Sequence, residues 1–109
     1  MTTTDAQDRP PGRCEKLAEI RAEIDRIDRA LVKLLSERQR YIERAAEIKS
    51  DRNAVRDEVR VEDVIAKVLA EARKAGLDGE IAEPLWRTLV ERSIAFEFKA
   101  FDARNQRSK

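Results

Sequence analysis

GRCEKLAEIRAEIDRIDRALVKLLSERQRYIERAAEIKS, residues 12–50, decides the fold of this 109-residue chain. After Gly12 the stretch holds no glycine and no proline. Its apolar side chains recur at Leu17, Ile20, Ile24, Ile27, Leu31 and Leu34. Steps of three and four put them on one face of a helix. The same seam runs on through Arg38, Ile42, Ala45 and Lys49. Arg38 and Lys49 are about three turns apart and point roughly the same way, about 16 Å apart along the axis. Two cations therefore stand in a row of core-facing positions.

The spacing predicts one helix over residues 13–50. At 1.5 Å per residue it measures about 50 Å. A compact chain of this length has a radius of gyration of only about 13 Å. The rest of the chain is too short to cover such a rod. A second copy of the chain is the simplest cover, so the expectation is a helical homodimer.

Composition supports an all-helical fold. Charged residues make up 41% of the chain and aromatics only 5%. Three glycines and three prolines leave few turns, and Ala, Glu, Arg and Leu are good helix formers. The net charge is +1, with 23 basic and 22 acidic residues. A nucleic-acid or membrane-surface binder carries a one-sided excess of cations, so neither partner is expected. No run is apolar enough for a membrane span. The single cysteine, Cys14, forms no internal disulfide and builds no zinc site by itself. Histidine is absent, which removes histidine catalysis and the commonest metal ligand. The first residues, MTTTDAQDRPPGR, lack the apolar segment of a signal peptide, so the cytoplasm is the expected compartment.

In order, residues 1–12 read as a polar, disordered lead, residues 13–103 as one helical domain, and residues 104–109 as a polar tail that frays. Asp51, Arg52 and Asn53 interrupt the apolar pattern as a loop. Asp57 is a good N-cap for a second helix that carries Val61, Val64, Ile65, Val68, Leu69 and Ala72 and stops at Gly76. Asp78 caps a third helix with Ile81, Leu85, Trp86, Leu89, Val90, Ile94, Phe98 and Phe101. Pro84 falls in its first turns, where a missing N–H is tolerated.

The candidate chemistry lies in charges at core-facing positions. Arg38 and Lys49 either pair with nearby carboxylates or snorkel to water, or they line a pocket for a small anion. Arginine suits a carboxylate through its two-pronged guanidinium. On the third helix Trp86, Val90, Ser93, Glu97 and Phe101 share a face, which sets Ser93 and Glu97 as a polar pair in an apolar stripe. They either make local bonds or reach a ligand. Arg21 lies about 100° around the first helix from Arg38, so only a partner chain brings it readily to the same pocket. Alone it is a solvated arginine, paired with Asp25. Asp57 and Arg60 are a cap and a surface cation, or one end of that pocket.

The segments IRAEIDRIDRALVKLLSERQRYIERAAEIK, VRDEVRVEDV, GLD and LVERSIAFEF together resemble the all-helical class of chorismate mutases. The likeness runs from about residue 17 to 101. It implies an intertwined dimer of three-helix chains with two active sites, each taking one arginine from the partner. It also implies a role for each matching residue. Arg21 is the borrowed arginine and binds a substrate carboxylate. Arg38 grips a carboxylate from within the chain. Lys49 reaches the ether oxygen and a carboxylate. Asp57 and Arg60 order one end of the pocket, and Ser93 lies near the ring carboxylate. Glu97 is the second group on the ether oxygen, where many members have glutamine.

One position departs from the pattern. The family usually follows the arginine matched by Arg60 with a glutamate that binds the substrate's ring hydroxyl, and here Val61 follows. Glu62 is about 100° away on the helix and substitutes poorly. Related isochorismate-pyruvate lyases and aminodeoxychorismate mutases also tend to lose this glutamate.

The resemblance implies an isomerase that turns chorismate into prephenate by a [3,3] rearrangement, in the biosynthesis of phenylalanine and tyrosine. The reaction is unimolecular and needs no cofactor. The alternatives are isochorismate-pyruvate lyase or aminodeoxychorismate mutase activity on the same scaffold, or a non-catalytic helical dimer module.

Overall fold

A computed structural model of the chain describes residues 9–108. Residues 1–8 of the expected lead and Lys109 of the expected tail lie outside the described residues. The described residues form three α-helices and no strand: α1 (Leu17–Ile48), α2 (Glu58–Ala75) and α3 (Gly79–Ser108). Short 3-10 turns precede α1 at Pro11–Arg13 and α2 at Arg52–Ala54. The all-helical, three-helix expectation is met.

Helix α1 starts at Leu17, four residues later than its apolar pattern predicts. Pro10 and Pro11 fix φ, and the chain spends Pro11–Arg13 in a 3-10 turn. Glu19 marks the true start. Its Oε1 accepts from the backbone N–H of Lys16 at 3.2 Å and of Glu15 at 2.8 Å. That is the carboxylate half of a capping box, and it satisfies N–H groups left free at a helix N-terminus. Arg9 pairs with the same carboxylate. At its other end α1 stops at Ile48, two residues short of Ser50.

The chain divides into two units, one ending at Arg38 and the other beginning at Gln39. In the first unit Leu17, Ile20, Ile24, Ile27, Leu31 and Leu34 are 39% to 61% exposed. The face that the sequence marks as a core seam is thus open to water in the single chain.

The second unit holds the core. Helices α2 and α3 pack together, and Ala46 from the last turns of α1 is buried with Val55, Val61, Val90, Ile94 and Phe101. Trp86 and Phe98 pack against this cluster. On α2 the expected apolar positions divide into buried Val61, Ile65 and Ala72 and half-buried Val64, Val68 and Leu69. Ile81 and Leu85, expected in the core, are more than half exposed.

Local chemistry explains the ends of these helices. Asp51 accepts from the N–H of Asn53 at 3.0 Å and opens the 3-10 turn. Asp57 accepts from the N–H of Arg60 at 3.1 Å and caps α2. Gly76 ends α2 with φ +79°, the left-handed region that a side chain disfavours. Asp78 accepts from the N–H of Glu80 at 2.8 Å and starts α3. Helix α3 then continues to Ser108. The helix thus runs into the polar tail expected over residues 104–109. Asp102 and Arg104 anchor these last turns to the chain that links α1 and α2.

Candidate active site

Lys49 follows the last residue of α1, and its N–H still donates to the carbonyl of Ala45 at 3.0 Å. Its Nζ reaches Oε2 of Glu97 at 2.6 Å. Glu97 is only 5% exposed and is the buried charged residue among the described ones. Lys49 is half-buried. A carboxylate so short of water is tolerable only beside a cation or a donor. The seam of α1 and the polar notch on α3, separate features of the sequence, thus meet as one ion pair.

Ser93 lies one turn before Glu97. Its Oγ donates to the carbonyl of Leu89 at 2.7 Å, the back-bond that serine makes within a helix. Asp57 acts as the cap of α2 and stays exposed, and Arg60 pairs with Asp63 at 2.8 Å. Val61 is buried in the core cluster, so this position adds apolar packing. Arg38 is half-buried and Arg21 exposed, both within the unit that ends at Arg38. Of the sequence candidates, Lys49 and Glu97 touch; Ser93, Asp57 and Arg60 each make the local bonds described.

Two side chains that sequence reasoning passed over tie the chain at and after Lys49 to α3. Arg52 forms a two-pronged pair with Asp102, at 2.9 and 3.3 Å, and stands 4.5 Å from the centre of the Phe98 ring. Hydrogen bonding to Arg52 holds the Asp102 carboxyl below its ordinary value. Arg104 donates to the backbone carbonyl of Lys49 at 3.1 Å and to that of Glu47, and lies over Phe101. A signal did exist: Glu97, Phe101 and Arg104 follow at steps of four and three, on one face of α3. Two further pairs tie α2 and its entry to α3. Arg56 bonds Glu91 and Arg87 bonds Glu62, which lowers the pKa of both carboxyls.

The described residues contain no cluster of three His, Cys, Asp or Glu placed to hold a metal ion. What the site offers is a half-buried ammonium and a buried carboxylic group on packed helices. The ammonium is the group there that can donate hydrogen bonds to a small anion.

Comparison with known proteins gives the class of this all-helical chain. The profile described as Chorismate mutase type II matches residues 20–98. The chain belongs to the chorismate mutase type II family, whose namesake activity is an isomerisation. It is 28% identical over 96 residues to the chorismate mutase of Methanocaldococcus jannaschii, covering 87% of this chain and 97% of that one. It is 33% identical over 89 residues to the isochorismate pyruvate lyase of Pseudomonas aeruginosa, covering 82% of this chain and 88% of the lyase. It is also 34% identical over 80 residues to the bifunctional chorismate mutase/prephenate dehydratase of Buchnera aphidicola, covering 72% of this chain. The chain spans only 21% of that bifunctional protein's length.

Proposed function

We propose that the chain isomerises chorismate to prephenate in the cytoplasm, as a homodimer whose two sites are each built from both copies. The observation that carries this reading is the contact between Lys49 and buried Glu97, inside the matched residues. The rearrangement breaks the ether C–O bond and forms a C–C bond within one molecule. It needs no nucleophile and no proton transfer. The protein has to hold the dianion in its compact reactive shape and stabilise negative charge growing on the ether oxygen.

In this reading Arg38 and the partner's Arg21 grip the two carboxylates, Lys49 donates to the ether oxygen, and Glu97, paired with Lys49 in the free chain, has to be protonated in the complex to donate beside it. Ser93 faces the ring carboxylate, and Asp57 and Arg60 order the end of the pocket where α2 begins. The open apolar face of α1 supports the dimer. Six half-exposed apolar side chains are worth about 1 kcal/mol each when covered, a sum comparable with the whole stability of a small domain. The prephenate made would feed aromatic amino-acid biosynthesis.

A second reading has its own observation. Val61 is core where the family usually has a glutamate, and the Pseudomonas lyase is among the relatives. That reading converts isochorismate to salicylate and pyruvate on the same scaffold. Assaying the purified chain on chorismate, isochorismate and aminodeoxychorismate separately decides between them. Prephenate from chorismate as the fastest reaction supports the mutase. Pyruvate from isochorismate, with little prephenate from chorismate, overturns it in favour of the lyase.

A further inference from the structure

The family match ends at residue 98, yet α3 runs on to Ser108 and its extra turns carry Asp102 and Arg104. Both act on the chain around Lys49. The guanidinium of Arg104 donates to the carbonyls of Glu47 and Lys49. Glu47 lies in the last turn of α1 and Lys49 just past its end, where carbonyls lack partners within the helix and the helix dipole is negative. The cation therefore meets both needs at once. It rests over the ring of Phe101, which is itself buried. Three residues after Lys49, Arg52 is held by both oxygens of Asp102. The chain that carries Lys49 is thus held at the carbonyls of Glu47 and Lys49 and at the side chain of Arg52, always from α3.

Glu97 stands on the same helix, nearly two turns before Arg104. Donor and clamp share one rigid element, so the clamp sets how far the Lys49 ammonium lies from Glu97. We propose that Arg104 is a positioning residue of the active site: it holds the C-terminal turn of α1 against α3 and so places Lys49 for catalysis. This rests on the reading of Lys49 given above.

A purely structural cap would change stability and leave the turnover of folded enzyme alone. The two roles separate in a double-mutant cycle. Turnover is measured on chorismate for the parent, Arg104→Ala, Arg104→Lys, Lys49→Ala and Lys49→Ala/Arg104→Ala, at a temperature where circular dichroism shows each folded. Amide hydrogen exchange at Lys49 reports the turn directly. Arg104→Ala should lower kcat about tenfold or more, since small misplacements of a catalytic group are costly, with KM changed far less. Arg104→Lys should fall between, because it offers one point charge in place of a fork. Exchange of the Lys49 amide, which donates to Ala45, should quicken. On the Lys49→Ala background the same change should cost nothing further.

Parent-like kcat in Arg104→Ala, or an equal loss on the Lys49→Ala background, overturns the inference. If Arg104→Ala does not fold, Arg104→Lys takes its place in the same cycle, and parent-like kcat there overturns the inference equally. Parent-like turnover in Lys49→Ala sinks the reading of Lys49 and the inference with it. An impaired Lys49→Ala beside a parent-like Arg104→Ala sinks the inference alone.

Discussion

Glu97 and Lys49 depend on each other for more than chemistry. With Glu97 5% exposed, removing the ammonium leaves a buried carboxylate uncompensated, which costs roughly 3 kcal/mol or more. Lys49→Ala should therefore lose both stability and turnover. Lys49→Ala/Glu97→Gln should regain the stability, because no buried charge remains, and stay inactive. Turnover of Lys49→Ala should fall at least about a hundredfold, the scale of losing one transition-state donor, while exposed Lys33→Ala stays at the parent level. Chorismate assays and thermal melts on these variants check both statements. Glu97 must carry a proton to donate to the ether oxygen. Glu97→Gln keeps a donor, so it should retain activity; Glu97→Ala should lose activity. Unchanged turnover in Glu97→Ala removes Glu97 from the mechanism. Lys49 and Glu97 were legible in the sequence because each is a charge in an apolar stripe. Arg104 was only half legible: its spacing from Glu97 and Phe101 puts it on the same face of α3, but its acceptors are backbone carbonyls at a helix end, which no residue type marks.

At the scale of the elements, caps proved more informative than periodicity. Asp57 and Gly76 bound α2 where the sequence puts them. Periodicity alone began α1 too early, because apolar spacing does not register the two prolines or the capping carboxylate of Glu19. It ended α3 too early, because the polar residues from Arg104 on look solvated until Arg104, like Asp102 before it, finds a partner from the α1–α2 connection. Gly76 gives a clean test of the cap. A Cβ there meets nothing within 4 Å, so any cost of Gly76→Ala comes from its φ of +79°. The expected loss is about 1 kcal/mol, read as a lower denaturation midpoint with an unchanged slope. An unchanged midpoint would mean that α2 ends without the left-handed turn.

The whole molecule is laced by ion pairs, and they set its response to acid. Asp102, Glu91, Glu62 and Asp63 all have carboxyls below their ordinary values of 3.8 for Asp and 4.5 for Glu. The leading causes are hydrogen bonds from Arg52, Arg56, Arg87 and Lys67 respectively. Folding lowers these values, so the stability they add is fully present above the unfolded values and is lost as pH falls through the folded ones. The melting temperature should hold steady from roughly pH 6 to 8 and drop below about pH 4.5. Because the pairs are exposed, added salt should shrink that drop. A melting temperature that rises on acidification would contradict these assignments.

A shared active site is the central claim, and it is a claim about two chains. Arg38 lies on the chain that carries Lys49, and Arg21 is assigned to the partner's site. Each single variant, Arg21→Ala or Arg38→Ala, should be nearly inactive as its own dimer, because both sites lose an arginine. When the two are mixed and allowed to exchange subunits, half the dimers are hybrids. Each hybrid has one site with both arginines and one with neither. Prephenate formation should then recover to about a quarter of the parent's rate, by statistical pairing in a two-fold dimer. Mixing that restores no activity, despite subunit exchange shown by mass spectrometry, would contradict the account.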